Sequence, residues 1–150
     1  MENAISDKFT PLLTYSGVLP FLFGALWLLT GQPVPVLGIP TVLFLKSYTL
    51  AIASFMAGVH WGQSLNEPEM GASTRILSNV FCLIPWLLWI GQASSTLFFS
   101  ASALVFAGLL YFDHRLVNAG LIVRDYWRLR LNVSAVVIAI LILAAFLSKA

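Results

Sequence analysis

Residues 131–147 read LNVSAVVIAILILAAFL, 17 positions without one charged side chain. A helix needs about 17–25 mostly apolar residues to cross the hydrocarbon of a bilayer. The residues before this run, 124–130, read RDYWRLR, a basic and aromatic collar of the kind that sits at a headgroup boundary. Working outward from this span, four further apolar runs stand at about Leu12–Thr30, Val42–Ser64, Ile76–Gln92 and Leu97–Phe112. The third and fourth are short and leave little room for tilt. The expected architecture is all-α: one five-helix transmembrane domain over residues 1–150.

Composition agrees. Hydrophobic residues make up 59% of the chain and charged residues 9%, with a mean hydropathy of +0.91. Soluble chains carry roughly 25% charge, and 9% cannot supply a polar shell for 150 residues. The net charge of +2 is too small to argue for nucleic acid. Cys82 is the single cysteine, which excludes an intramolecular disulfide and leaves the redox compartment open. Glu2 and Asp7 offset Lys8, and residues 30–35 lack a small-x-small cleavage pattern, so the first span is expected to be retained.

Local signals punctuate the runs. Pro11 suits a first helical turn, while Pro20 should kink the first span or free a carbonyl. Residues 31–38 form a Gly- and Pro-rich connection, and Pro40 starts the second helix. Leu65–Thr74 reads as a hydrophilic loop with Ser73 or Thr74 as a cap. Gln92–Thr96 reads as a tight turn. Asp113–Arg130 is the longest polar segment, with Asn118-Ala-Gly120 as its turn and helix resuming from about Leu121.

Orientation follows from Lys and Arg counts. Lys8, Arg75, Arg115, Arg124, Arg128 and Arg130 share one side, against Lys46 and Lys149 on the other. Six against two predicts an N-terminus inside and a C-terminus outside. Lys46, about one turn into its helix, is expected to snorkel outward.

This arrangement brings scattered residues to one depth near the inner face. Tyr15 opens the first span; His60 and Trp61 close the second; Asp113 and His114 close the fourth; Tyr126, Trp127, Arg128 and Arg130 lead into the fifth. An interfacial belt accounts for the aromatics and arginines. Asp113 and His60 are harder to place there, because ionisable groups within spans are costly and face partners in the bundle interior. Asp125 and Arg128 are i, i+3 partners. Asp113 has two candidate arginines, Arg128 and Arg130. Ser54, Gly58 and Gly62 repeat at i, i+4, i+8, a spacing that lets helix backbones approach closely; packing within the bundle and a homodimer face are both open. Pro85 repeats the theme of Pro20.

At this point the residues resemble a family. Gly17-Val-Leu-Pro-Phe21, Ser54-Phe-Met-Ala-Gly-Val-His-Trp-Gly62, Pro85-Trp86, Asp113 and Tyr126-Trp-Arg-Leu-Arg130 look like the bacterial domain-of-unknown-function family 3429. The eukaryotic mitochondrial transmembrane protein 69 is similar to it. The resemblance covers nearly the whole chain and implies a small polytopic inner-membrane protein. It implies no activity, so it supplies neither a catalytic residue nor a cofactor.

The residues weigh against an enzyme without deciding the matter. There is no Gly-rich phosphate loop, no His-Glu-x-x-His and no Cys pair for a metal. The reading they favour is a binding or assembly module at the cytoplasmic-side rim, holding a lipid, a quinone-like amphiphile or a partner membrane subunit. Trp61, Trp127 and Tyr15 would pack the ring or tail; His60, Asp113, Arg128 and Arg130 would bond the polar head. Alternatives are haem b ligated by His60 and His114, and a small transporter acting as an oligomer.

Overall fold

The computed structural model describes residues 9–35, 37–65 and 68–148, in which six helices and no strands occur. Lys8, Asn66, Glu67 and Lys149 lie outside the described residues. The helices are α1 (Phe9–Ser16), α2 (Leu19–Leu28), α3 (Thr41–Ser64), α4 (Pro68–Ile90), α5 (Ser95–Asn118) and α6 (Arg124–Leu147). Counting α1 and α2 together as Phe9–Leu28, five helices are long and apolar enough to cross a membrane.

The first span is broken rather than bent. Pro20 has no N–H to give the Ser16 carbonyl, and its ring would clash there in a continuous helix. The chain instead turns at Gly17-Val18, and Pro20 falls in the first turn of α2, where its fixed φ is suited. The interruption exposes the Gly17 carbonyl, which accepts a hydrogen bond of 2.8 Å from the Tyr48 hydroxyl on α3. A neighbouring helix thus satisfies the group that the break released, as the membrane interior requires. Pro85, by contrast, lies buried inside α4 without ending it.

Helices extend beyond the apolar runs because polar residues continue them into the boundary region. The expected loop Leu65–Thr74 is largely helical: α4 starts at Pro68, so Ser73 and Thr74 are interior residues rather than caps. Thr74 is buried, and its carbonyl accepts from the Ser78 hydroxyl at 2.7 Å. Likewise α5 carries on past Phe112 to Asn118, which puts Asp113 and His114 on a helix instead of in a loop. Gly120, at φ 75°, ends that helix, and α6 begins at Arg124 rather than near Leu121. Ser94 caps α5 by accepting from the Leu97 N–H at 3.2 Å.

The core runs along the seams between α2, α3, α5 and α6, around Phe21, Leu45, Phe98, Leu109 and Leu141. On α3 the buried positions are Thr41, Leu45, Thr49, Ala53, Met56, Ala57, His60 and Ser64, a stripe of three- and four-residue steps. The Ser54–Gly58–Gly62 series does not follow it. Ser54 meets α4, where the Cys82 thiol donates to its hydroxyl at 3.5 Å. Gly58 and Gly62 are exposed, and a Cβ on either would meet nothing within 4 Å. The expectation that they pack inside the bundle is therefore corrected. Ser54 and Gly58 each follow a buried residue, Ala53 and Ala57, by one position, about 100° around the helix, so the series stands off the contact face. Close backbone approach occurs elsewhere. A Cβ on Gly24 of α2 would lie 2.7 Å from the Leu45 Cγ, and one on Gly108 of α5 would lie 2.6 Å from the Phe81 ring.

Candidate functional site

Three buried stripes carry an ionisable residue at the same place. The α3 stripe reaches His60, the α5 stripe passes Phe112 to Asp113, and the α6 stripe of Ser134, Val137 and Leu141 begins at Arg130. Their relative exposures are 1% for His60, 3% for Asp113 and 6% for Arg130, so all three are buried within the bundle. Arg130 donates from Nε at 3.0 Å and from Nη2 at 2.8 Å to the Asp113 Oδ2. His60 Nε2 lies 2.9 Å from the other carboxyl oxygen, Oδ1. His60 Nδ1 lies 2.9 Å from the Met56 carbonyl. The Met56 thioether also takes part, accepting from Arg130 Nη1 at 2.6 Å. The Phe112 ring stands at 63° to the imidazole with centroids 6.3 Å apart, closing the apolar side.

Taken as hydrogen bonds, the two imidazole contacts set a proton count. A carbonyl only accepts, so His60 Nδ1 carries a hydrogen. The Nε2–Oδ1 contact needs one more hydrogen, held either by the imidazole or by the carboxyl. Both assignments place two protons on the His60–Asp113 pair, and Arg130 is always charged. With both contacts made as hydrogen bonds, the cluster carries a net charge of +1 whichever partner keeps the shared proton.

Beside the cluster lies a cavity of about 290 Å³ between α1–α2, α3, α5 and α6. Arg130 and Met56 form part of its wall, and Phe21, Ile52, Phe106 and Val137 make most of the rest apolar. A shallower groove of about 240 Å³ adjoins it between α1 and α6, with Tyr15, Asp125, Arg128 and Asn132 in its lining. Thr10 and Tyr126 belong to both, so the two spaces are neighbours. A larger cavity of about 440 Å³ lies at the opposite helix ends, among residues such as Gln32, Pro40 and Ser148, and has no ionisable side chain in its lining.

The structure thus sorts the residues singled out from the sequence. His60, Asp113 and Arg130 come together. Of the two arginines proposed for Asp113 it is Arg130 that reaches it; Arg128 lies about 200° away around the helix. The Arg128 side chain is 78% exposed and stands 3.8 Å from Asp125. Tyr15 is exposed and joins Arg128 in the outer groove. Trp61 and Trp127 line neither space: Trp61 is one residue, about 100°, off the buried stripe, and Trp127 packs on His114 with centroids 5.3 Å apart. His114 is exposed and hydrogen-bonds the Asn118 amide at 3.1 Å. Both His60 nitrogens are engaged inside the bundle, by the Met56 carbonyl and by Asp113, and His114 is not beside them. Among the described residues no group of three or more His, Cys, Asp or Glu could hold a metal ion. Sequence reasoning missed Met56 and Tyr126 as site residues. Met56 was readable, since it precedes His60 by four residues and shares its face.

Comparison with known proteins adds a family but no activity. No curated protein and no solved structure matches the chain. A family model described as a protein of unknown function, DUF3429, matches residues 7–146. That match reaches all six helices and includes every member of the buried cluster, and the chain belongs to the DUF3429 family.

Proposed function

We propose that this is a multi-pass protein of the bacterial inner membrane that binds an amphiphile within its bundle, near the cytoplasmic face. The observation that carries the reading is Arg130. Arg130, a residue that is 6% exposed, lines an apolar cavity of about 290 Å³ reaching from the cluster to Phe21 and Val137. A few convergent polar groups on an otherwise apolar wall are the marks of a small-molecule site. Lipid and quinone-like molecules share the required form, an oxygen-bearing head and an apolar tail. The orientation rests on the basic residues: even with Arg130 discounted as part of the cluster, five Lys and Arg flank one side against two on the other. On the sparse side, Lys46 reaches the end of its helix and donates to the Ala93 carbonyl at 3.3 Å.

The test is extraction of the protein after gentle solubilisation from native membranes, followed by mass analysis of the organic phase. A stoichiometric amphiphile is expected, lost on Val137→Phe, which fills the cavity without touching the cluster. A protein that carries only substoichiometric bulk lipid, unchanged by that substitution, would defeat the reading. A homodimer on the uncovered Gly58–Gly62 face is a second reading, supported by the open space above both glycines. Oxidative crosslinking of a Gly58→Cys variant in membranes should give a dimer if it holds.

A further inference from the structure

We infer that the amphiphile is an anion: one apolar chain occupies the cavity and an oxyanion head, carboxylate or phosphate, seats on Arg130. The inference rests on the binding role proposed above and deepens it by charge.

Three observations support it. The first is the proton count: with both imidazole contacts made as hydrogen bonds, the His60–Asp113–Arg130 cluster carries a net +1. An unbalanced charge at this depth is costly, and an anion beside it removes the imbalance. Around the cavity no other described group does so, since Asp125 stands beside Arg128 and together they cancel. The second is donor capacity. Of the five guanidinium N–H groups, hydrogen bonds to described residues account for three, one of them to the Met56 sulfur, a weak acceptor. An oxyanion would take the Nη1 donor from the thioether and gain a charge-assisted bond in its place. Asp113 meanwhile holds Nε and Nη2, so the cation is fixed before any ligand arrives.

The third is volume. Sites for drug-sized ligands span about 300–1,000 Å³, and a space of about 290 Å³ lies at the small end. It suits one chain, or the first part of one, with any remainder in the bilayer. The half-buried Tyr126 stands where the cavity meets the outer groove, between an Arg130 head site and bulk lipid.

The experiment uses the full-length protein, delipidated in a non-ionic maltoside detergent and titrated calorimetrically with three single-chain probes. Oleate carries a carboxylate, lysophosphatidylglycerol a phosphate, and monoolein a neutral head. At least tenfold tighter binding of one or both anions than of monoolein is expected. Preference for oleate assigns the site to a free carboxylate, preference for the lysolipid to a lipid phosphate, and both support an oxyanion site. Arg130→Gln should abolish the preference. Because that substitution leaves Asp113 without its cation, His60→Gln is the second variant: it keeps a donor to Asp113 but removes the extra proton, and the preference should fall there too. Equal affinity for all three probes, or a preference that survives both substitutions, overturns the anion assignment while leaving amphiphile binding standing. No saturable binding of any probe overturns both.

Discussion

Replacing Asp113 by alanine is the most direct test of the cluster, because it removes the acceptor of two Arg130 bonds and the partner of His60 at once. Removing one member of a buried ion pair typically destabilises by about 3–5 kcal/mol, since a buried charge is left uncompensated. Two features reduce that here. Deleted polar contacts in membrane bundles average only about 0.6 kcal/mol, because the unfolded chain in lipid also finds partners. Arg130 also lies six residues into α6, about 9 Å from its start, so a released side chain can snorkel toward the interface. Weighing both gives about 2–3 kcal/mol for Asp113→Ala. The measurement is equilibrium unfolding in mixed micelles, run as a cycle with Arg130→Ala and the double variant. The double variant should be less destabilised than the sum of the singles by about 1.5 kcal/mol or more, since it removes the orphaned cation along with its anion. Additive single effects, or a loss below about 0.5 kcal/mol for Asp113→Ala, would refute the account of a coupled buried cluster.

Three other outcomes are expected in the same unfolding assay. Arg128→Gln, on the exposed partner of Asp125, should change stability by less than about 0.5 kcal/mol, in contrast to any change at Arg130. Gly108→Ala should destabilise by about 1–3 kcal/mol, because its Cβ must displace the Phe81 ring, whereas Gly58→Ala should be neutral or stabilise by up to about 1 kcal/mol. Tyr48→Phe should cost about 1 kcal/mol, since the Gly17 carbonyl loses its donor at the α1–α2 break; a silent substitution would mean that the carbonyl is satisfied by another route.

Much of the architecture was legible because lipid as a solvent writes directly onto composition: long apolar runs admit few structures other than spanning helices. Their ends were less legible. Polar residues such as Ser73, Thr74, Asp113 and His114 continue a helix as readily as they leave it, so hydropathy under-measured α4 and α5 at the polar boundary. For the site, the informative quantity was the penalty for an ionisable group within a span, which singled out His60 and Asp113. The choice between Arg128 and Arg130 turned on a rotation of about 200° around α6, and the sequence offered the buried register only through Ser134 and Val137 beyond it. Tryptophans misled because an amphipathic ring is equally at home on a lipid-facing surface: Trp61 is 39% exposed. Small-residue spacing misled as the arginines did, through an angular offset: Gly58 lies one residue, about 100°, from the buried Ala57.

The break at Gly17-Val18 separates one cavity wall from the rest of the bundle. None of the eight residues of α1 is buried, although Thr10, Leu13 and Thr14 close one side of the cavity. Local opening free energy scales with the contacts that opening sacrifices, and this wall sacrifices few. The wall bearing Arg130 is pinned through Asp113, which joins α3, α5 and α6. The bundle is therefore graded in stiffness across a single cavity, with its charged side set by global stability and its outer side by the much smaller free energy of moving one short helix. Hydrogen exchange should separate these two scales, with α1 amides exchanging well before those of α5 and α6.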